Sequence, residues 1–181
     1  MLLGLDISTS CTGWSLLDAG GTLNSMGYII LDSKKTLFQN AQTIKIEFAK
    51  IKKEHNVDSV FVEQNLQMFR AGFSSAKTID KLAKFNGIIS YIAFEVFEVN
   101  PLFINVNSAR KALNMKLIKK SAGGKPTKEQ VLDWVMSREP EYSWPTKVLK
   151  SGPRKNTEIL IKECFDIADA YVISKAGCIL K

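Results

Sequence analysis

The sequence predicts an α/β protein built on a mixed β-sheet, and three observations lead to that prediction. Residues 2–8 alternate between apolar side chains and small or polar ones, the periodicity of a strand. Two further strand-like runs, at 12–18 and 25–31, follow after short links that favour antiparallel hairpins. Apolar runs at 57–63 and 101–106 then alternate with helical segments. We therefore expect five strands, the first three antiparallel.

Two long helices are predicted from an apolar stripe at helical spacing over 36–54 and from the segment 75–98. The second is apolar nearly all round between Phe85 and Phe97. A helix that covers one side of a sheet should keep a polar face, so either a further layer or another subunit should cover this one. If the cover is another subunit, the protein would be a homodimer through the 75–98 helix.

The last third of the chain predicts shorter helices. Ser108 can begin a short one, and Thr127 with Gln130 has the spacing of a capping box. Three prolines and Gly152 over 138–156 predict an irregular basic loop, after which Thr157 can cap the last helix.

Length and composition limit the function classes. A chain of 181 residues with 45% hydrophobic and 24% charged residues is expected to form one domain, 1–181. Three cysteines without a CxxC pair argue against a disulfide scaffold, and the single histidine, His55, excludes most triads and multi-histidine metal sites. Asp6 interrupts the N-terminal apolar run, and no run is long enough to span a bilayer. We expect a reduced, cytoplasmic protein without a membrane partner.

The positive charge is concentrated in one segment. Residues 105–155 contain 12 basic and 4 acidic residues, a net charge of +8 against +7 for the whole chain. A polyanionic partner, most commonly nucleic acid, is one interpretation, and a solvated basic surface is the other. Trp134, Tyr142 and Trp144 in this segment could stack on bases or belong to the core.

Four carboxylates stand out because their surroundings are apolar. Asp6 and Glu63 are each the lone acid of an apolar strand, and both would lie side by side if those strands are neighbours. Asp166 and Asp169 are three residues apart on one face of an apolar helix. Taken singly, each could be a cap, a salt-bridge partner or a solvated side chain. Together they predict a site for oxygen-preferring divalent cations, Mg²⁺ or Mn²⁺.

Three segments resemble the RuvC-type Holliday junction resolvases of the RNase H-like superfamily. They are Gly-Leu-Asp-Ile-Ser-Thr-Ser-Cys-Thr-Gly-Trp-Ser at 4–15, Val-Phe-Val-Glu-Gln at 60–64 and Phe-Asp-Ile-Ala-Asp-Ala-Tyr-Val-Ile at 165–173. Ala76 and Lys77, with Gly87 further along, also resemble the family's helix after the second motif. The order and spacing agree over essentially the full length, which implies an RNase H-like fold with helices on both faces of the sheet.

The resemblance implies a function and its residues. Asp6, Glu63, Asp166 and Asp169 would be the catalytic metal ligands for two Mg²⁺ ions, with Mn²⁺ as a substitute. Because Asp6 is central on the first strand, we expect it to be the carboxylate that both ions share. The protein would be a homodimeric endodeoxyribonuclease that resolves four-way DNA junctions by paired nicks. The compact, Lys-rich sequence looks like a bacteriophage version, acting in the cytoplasm of a bacterial host. It departs from the family in a longer 138–156 loop and in Leu66, where some members carry an aromatic wedge.

Candidate DNA contacts fall into two groups. Phe69, Arg70 and Phe73 follow Glu63 and could form a wedge at the junction centre, or could simply pack at a helix start. The second group is basic, and a solvated face is the alternative for each member: Lys116, Lys119, Lys120, Lys125, Lys128, Arg154 and Lys155.

Three other functions remain open at this stage. The 6–13 segment loosely resembles the phosphate loop of actin-like ATPases and sugar kinases, but those folds pair two domains, and no second such loop follows, so no nucleotide cofactor is expected. A non-catalytic nucleic-acid-binding module would gain nothing from clustered negative charge. An RNase H-like nuclease acting on flaps, forks or hybrids cannot be separated from a resolvase by sequence.

Overall fold

The central sheet has five strands, three antiparallel and two added in parallel. The structure is a computed structural model that describes residues 1–64 and 76–180, so Leu66, Phe69, Arg70 and Phe73 lie outside the described residues. In sheet order the strands are β3 (Leu23–Ile30), β2 (Cys11–Leu17), β1 (Leu2–Ile7), β4 (Ser59–Glu63) and β5 (Leu102–Ile104). β1 pairs antiparallel with β2 and parallel with β4. The predicted mixed five-stranded sheet is confirmed.

Helices cover both faces of this sheet. They are α1 (Leu37–Glu54), α2 (Ala76–Phe97), α3 (Val106–Ala112), α4 (Thr127–Met136) and α5 (Cys164–Leu180). Side chains alternate along a strand, so Leu3 and Leu5 of β1 pack in the cluster that includes α1 and α2. Leu2 belongs to the cluster on the other face, with α3, α4 and α5.

Helix α5 lies unusually close to the sheet because two glycines face it. A Cβ atom on Gly4 would come within 2.5 Å of the Ala170 carbonyl oxygen, and one on Gly13 within 2.0 Å of the Asp166 carbonyl oxygen. Opposite Gly4 on β2, the Ser15 hydroxyl donates to the same Ala170 carbonyl oxygen at 3.1 Å. The sheet on one side and α3 and α4 on the other explain why α5 is apolar all round.

Helix α2 is not buried all round. Ile89 and Ala93 are fully buried, whereas Tyr91 and Phe94 are 65% and 44% exposed, with ring centroids 6.4 Å apart. Within the described residues no helix is long and apolar enough to cross a membrane.

Several local predictions for the last third are wrong. Asn105, not Ser108, caps α3, and its side chain accepts a hydrogen bond from the Asn107 N–H. Pro126 occupies the cap of α4 without a side-chain hydrogen bond, so the Thr127 capping box does not form. Its intended partner, Gln130, instead bonds the backbone of Ile118 and Lys125.

The predicted irregular loop contains a β-hairpin. Its strands are β6 (Thr146–Val148) and β7 (Glu158–Leu160), which pair antiparallel as a sheet separate from the central one. Thr157 therefore precedes a strand rather than capping the last helix, and α5 begins at Cys164. The segment between Val148 and Glu158 forms the hairpin tip.

Candidate functional site

The four carboxylates singled out in the sequence meet where β1 and β4 end. Leu5 of β1 is opposite Val62 of β4, so the next residues, Asp6 and Glu63, lie at neighbouring positions. Asp6 also pairs with Gly13, the residue whose backbone lies against Asp166 in the first turn of α5. Strand register and the close approach of α5 thus gather side chains that are up to 163 positions apart.

Electrostatics show how tightly these groups interact. The pKa of Asp6 is raised well above its ordinary value, first by burial and then by the negative charges of Glu63, Asp169 and Asp166. The pKa of Glu63 is raised to about 7, again by burial first and by Asp169 next. Each of these carboxylates therefore makes ionisation of the others harder.

The two acids on α5 are affected in the same direction. Burial raises the pKa of Asp166 and that of Asp169, and the Lys128 charge opposes the shift in both. Asp169 is only 7% exposed, whereas Asp166 is partly buried. Burial is the largest cause in all four acids, and the positive charge nearby offsets only part of it.

Lys128 and Arg110 bring positive charge to the carboxylates. The charge of Lys128 lowers the pKa of all four acids, although the side chain is exposed. It lies in the first turn of α4, where the positive end of the helix dipole disfavours a cation. The nearby acids offset that cost. The Arg110 guanidinium lies 3.7 Å from Asp169 Oδ1.

Two buried polar atoms at the site, Asp169 Oδ1 and Arg110 Nε, have no hydrogen-bond partner among the residues that the structure describes. The 3.7 Å between Arg110 Nη2 and Asp169 Oδ1 is too long for a hydrogen bond. Unsatisfied buried atoms are uncommon and call for a water, an ion or a ligand. A divalent cation would satisfy the carboxylate oxygen, and a phosphate oxygen would satisfy the guanidinium.

The donor set fits Mg²⁺ or Mn²⁺, because every candidate ligand is a carboxylate oxygen. In the conformation described for 1–64 and 76–180, no group of three or more His, Cys, Asp or Glu side chains is arranged to hold a metal ion. Mutual repulsion favours separated carboxylates when no cation lies between them. The side chains are thus near one another without forming a closed coordination shell.

Sequence reasoning missed three residues at this site. Arg110 entered only as part of the basic surplus, and nothing in its local sequence distinguishes it. Glu163 is 9% exposed and its negative charge raises the pKa of Asp166. Glu163 immediately precedes α5, and its position three residues before Asp166 was the available signal. The Cys11 thiol is also buried near Asp166, and its pKa is raised by burial first and by the negative charge of Asp166 next.

The seven basic residues of the second group of predicted DNA contacts are all on the surface. Lys125 is paired with Asp133 at 2.7 Å, and Lys128 faces the carboxylates. The other members lie on the α3–α4 connection and on the hairpin, and all are exposed: Lys116, Lys119, Lys120, Arg154 and Lys155.

The aromatic residues of the basic segment pack against the protein. Trp134 contacts Tyr171 edge-on with ring centroids 6.5 Å apart, and Tyr142 contacts Trp144 at 5.0 Å. The sequence left open whether these aromatic residues stack on bases or belong to the core, and the structure places them at the edge of the core, partly buried.

Comparisons with known proteins identify the fold. The sequence matches no protein-family profile and no curated protein. The structure has the RuvC-type, RNase H-like fold. Thermus thermophilus RuvC in complex with a Holliday junction substrate superposes with a TM-score of 0.63 at 16% identity, over 97% of this chain and 90% of that one.

Two further solved structures agree. Another structure of Thermus thermophilus RuvC gives a TM-score of 0.57 at 18% identity, over 97% of this chain and 91% of that one. The yeast mitochondrial Holliday junction resolvase Ydc2 gives 0.51 at 13% identity, over 98% of this chain and 77% of that one. The fold implied by the sequence motifs is thereby confirmed.

Proposed function

We propose that this protein is a divalent-metal-dependent, structure-specific endodeoxyribonuclease that resolves four-way DNA junctions by paired nicks. The observation that carries the proposal is the cluster of four carboxylates at the end of β1 and β4, where burial raises the pKa of each. A fold shared with RuvC and Ydc2 supports it. The whole chain, 1–181, would act as one nuclease domain.

Asp6, Glu63, Asp166 and Asp169 would hold two Mg²⁺ ions, for which Mn²⁺ could substitute. Bound cations would neutralise the phosphoryl oxygens and make an attacking water more acidic. The protein contributes the remaining positive charge. Lys128 and Arg110 lie where a scissile phosphate would approach the acids, so their side chains would bind its oxygens and balance the negative charge.

Affinity for DNA would come from the basic segment 105–155. Its exposed lysines at 116, 119 and 120 belong to one connection between α3 and α4, next to Lys128. Contacts of this kind with phosphates are independent of sequence and weaken with salt. The substrate would be recognised by its branched shape as much as by its charge. The proposal places the protein in the cytoplasm of a bacterial host, encoded by a bacteriophage.

Two opposed nicks require two active sites related by a two-fold axis. Exposed Tyr91 and Phe94 on α2 provide an apolar surface that a second copy could cover. We therefore propose a homodimer formed through α2.

A side-by-side cleavage assay tests the function. Wild-type protein with Mg²⁺ should nick a four-way junction faster than a flap or an RNA–DNA hybrid. Asp6→Asn should lose at least ~10³-fold in rate because a central ligand is removed, and junction binding should persist. Asp80→Asn, which neutralises an exposed acid on α2, is the matched control and should retain activity.

Each outcome of that assay has a meaning. Preference for the flap or the hybrid would replace the resolvase with an RNase H-like nuclease of different substrate. Full activity in Asp6→Asn would overturn the proposal altogether.

A further inference from the structure

A basic β-hairpin lies directly before the helix that bears two of the carboxylates. In its short ladder, Thr146 pairs with Leu160, Lys147 with Ile159 and Val148 with Glu158. β7 ends only four residues before α5 begins at Cys164. The hairpin is thus an element of its own next to the candidate site.

The base of the hairpin is fixed to the start of α5. The Ile161 N–H donates to the Pro145 carbonyl oxygen at 3.1 Å, and the Cys164 Sγ donates to the same oxygen at 3.4 Å. Cys164 is fully buried, and Asp166 follows it in the first turn of α5. The hairpin therefore has a defined position relative to the acids.

The tip is ordered by its own backbone. Leu149 N–H donates to the Thr157 carbonyl oxygen at 3.0 Å, and Asn156 N–H donates to the Leu149 carbonyl oxygen at 2.8 Å. Lys155 N–H donates to Gly152, which adopts a φ of +82° that suits glycine. A preformed tip loses little conformational entropy when it binds a partner.

The charge of the hairpin is strongly one-sided. Lys147, Lys150, Arg154 and Lys155 are opposed between 146 and 160 by one acid, Glu158, which leaves a net charge of +3. All four cations are exposed, and none has an ion pair within 4.0 Å among the parts of the chain that the structure describes. Lys125, by contrast, is neutralised by Asp133.

The length of the hairpin limits how much DNA it can contact. From Thr146 to Gly152 the hairpin extends at most ~20 Å, at about 3.4 Å per residue. The phosphates of one DNA strand are spaced by about 3.4 Å along the axis, so this length covers roughly six nucleotides. A two-stranded ribbon is also narrow enough for a major groove about 12 Å wide.

We propose that the 146–160 hairpin is a rigid arm that binds the phosphate backbone of a DNA duplex within about six base pairs of the carboxylate site. Unpaired cations on an ordered, exposed tip repel one another, and a polyanion relieves that repulsion. The inference rests on the proposed function for its ligand. It adds Lys147 and Lys150 to the predicted DNA contacts. It also predicts that the hairpin binds a duplex branch of the junction rather than the junction centre.

Salt-dependent binding tests the arm. The variant Lys147→Gln/Lys150→Gln/Arg154→Gln/Lys155→Gln and the wild type are titrated with a labelled four-way junction in EDTA, from 50 to 200 mM NaCl. Four lost phosphate contacts should reduce the slope of log K against log salt by about 3 to 4 and weaken binding at least tenfold at 100 mM.

A control removes the same charge elsewhere. Lys34→Gln/Lys35→Gln/Lys53→Gln/Lys81→Gln alters four exposed lysines on the side of α1 and α2. Its slope should stay within one unit of wild type. A second hairpin variant, in which Asn-Gly replaces 149–157, should reproduce most of the loss because the exposed tip is removed while the base remains.

An unchanged slope of log K against log salt in both hairpin variants would contradict the proposal that the hairpin binds DNA. An equal decrease of the slope in the control variant would contradict it as well. Because these measurements need no cleavage, failure of the nuclease proposal is seen separately, as a protein that binds the junction and does not nick it in Mg²⁺.

Discussion

Glu63 shows how one side chain links folding to the site. It ends β4, whose other four side chains are buried, and its pKa is raised to about 7 mainly by burial. A carboxyl group with a raised pKa binds its proton more tightly in the folded protein than in the unfolded chain. Its contribution to stability is present below the ordinary pKa of 4.5 and is lost as the pH rises to about 7.

The first prediction concerns metal-free protein. Between pH 5 and pH 8 the wild type should lose free energy of unfolding, and Glu63→Gln should lose less because glutamine does not ionise. Urea unfolding in EDTA at both pH values measures this. Glu54→Gln, an exposed acid on α1, is the control and should follow the wild type. An equal loss in Glu63→Gln would show that this carboxyl group is not desolvated.

The sequence could predict the four acids because each stands alone in an apolar segment. It could not predict Arg110, whose relation to Asp169 depends on how α3 packs against α5. The same holds for Cys11, because its contact with Asp166 arises only when α5 lies against β2. Local pattern identifies a buried charge, and tertiary packing decides which partner it meets.

At the scale of elements, the position of α5 depends on the absence of a side chain at Gly13. The Asp166 carbonyl oxygen occupies the place that a Cβ atom would take, at 2.0 Å. A backbone carbonyl group cannot move aside for an added Cβ atom as the end of a flexible side chain can. The carboxylates of α5 therefore reach the strand acids only because β2 carries glycine here.

The second prediction follows from this contact. Gly13→Ala should lower the free energy of unfolding by about 1–3 kcal/mol, a typical cost of overpacking. Gly87→Ala is the matched control, since nothing lies within 4 Å of its added Cβ on exposed α2. It should be neutral or stabilise by up to about 1 kcal/mol through helix propensity. Urea unfolding compares both with wild type, and equal effects would contradict the account.

Two Thr-x-x-Gln segments with the same spacing adopt different structures, which shows why some elements were predictable and others were not. Thr36 and Gln39 form a true capping box at the start of α1. Thr127 and Gln130 have the same spacing, yet Gln130 is taken by the backbone of Ile118 and forms no box. A local motif persists only where tertiary structure offers its members no better partner.

The hairpin escaped prediction for a related reason. Its strands are separated by a nine-residue tip containing Gly152 and Pro153, and no two-residue turn signals the pairing. Three-residue strands also leave little periodicity to detect. The strands β1 to β3 are six to eight residues long, and short links join them, so they were predictable.

At the scale of the whole molecule, the third prediction concerns association. Tyr91→Lys/Phe94→Lys should convert the proposed dimer to a monomer, because charges replace the exposed aromatic pair on α2. Sedimentation velocity at micromolar concentration measures the mass. Ile30→Lys changes an equally exposed apolar side chain on the edge strand β3 and should remain dimeric. A monomeric wild type would contradict the dimer and leave the carboxylate site unaffected.

The central claim is that four acids distant in sequence form one binding site for divalent cations, and Mn²⁺ titration calorimetry tests it most directly. Wild-type protein should bind two ions per chain, whereas Asp6→Asn and Asp169→Asn should each lose at least one site or weaken both by tenfold or more. Wild-type stoichiometry and affinity retained in both variants would contradict the claim.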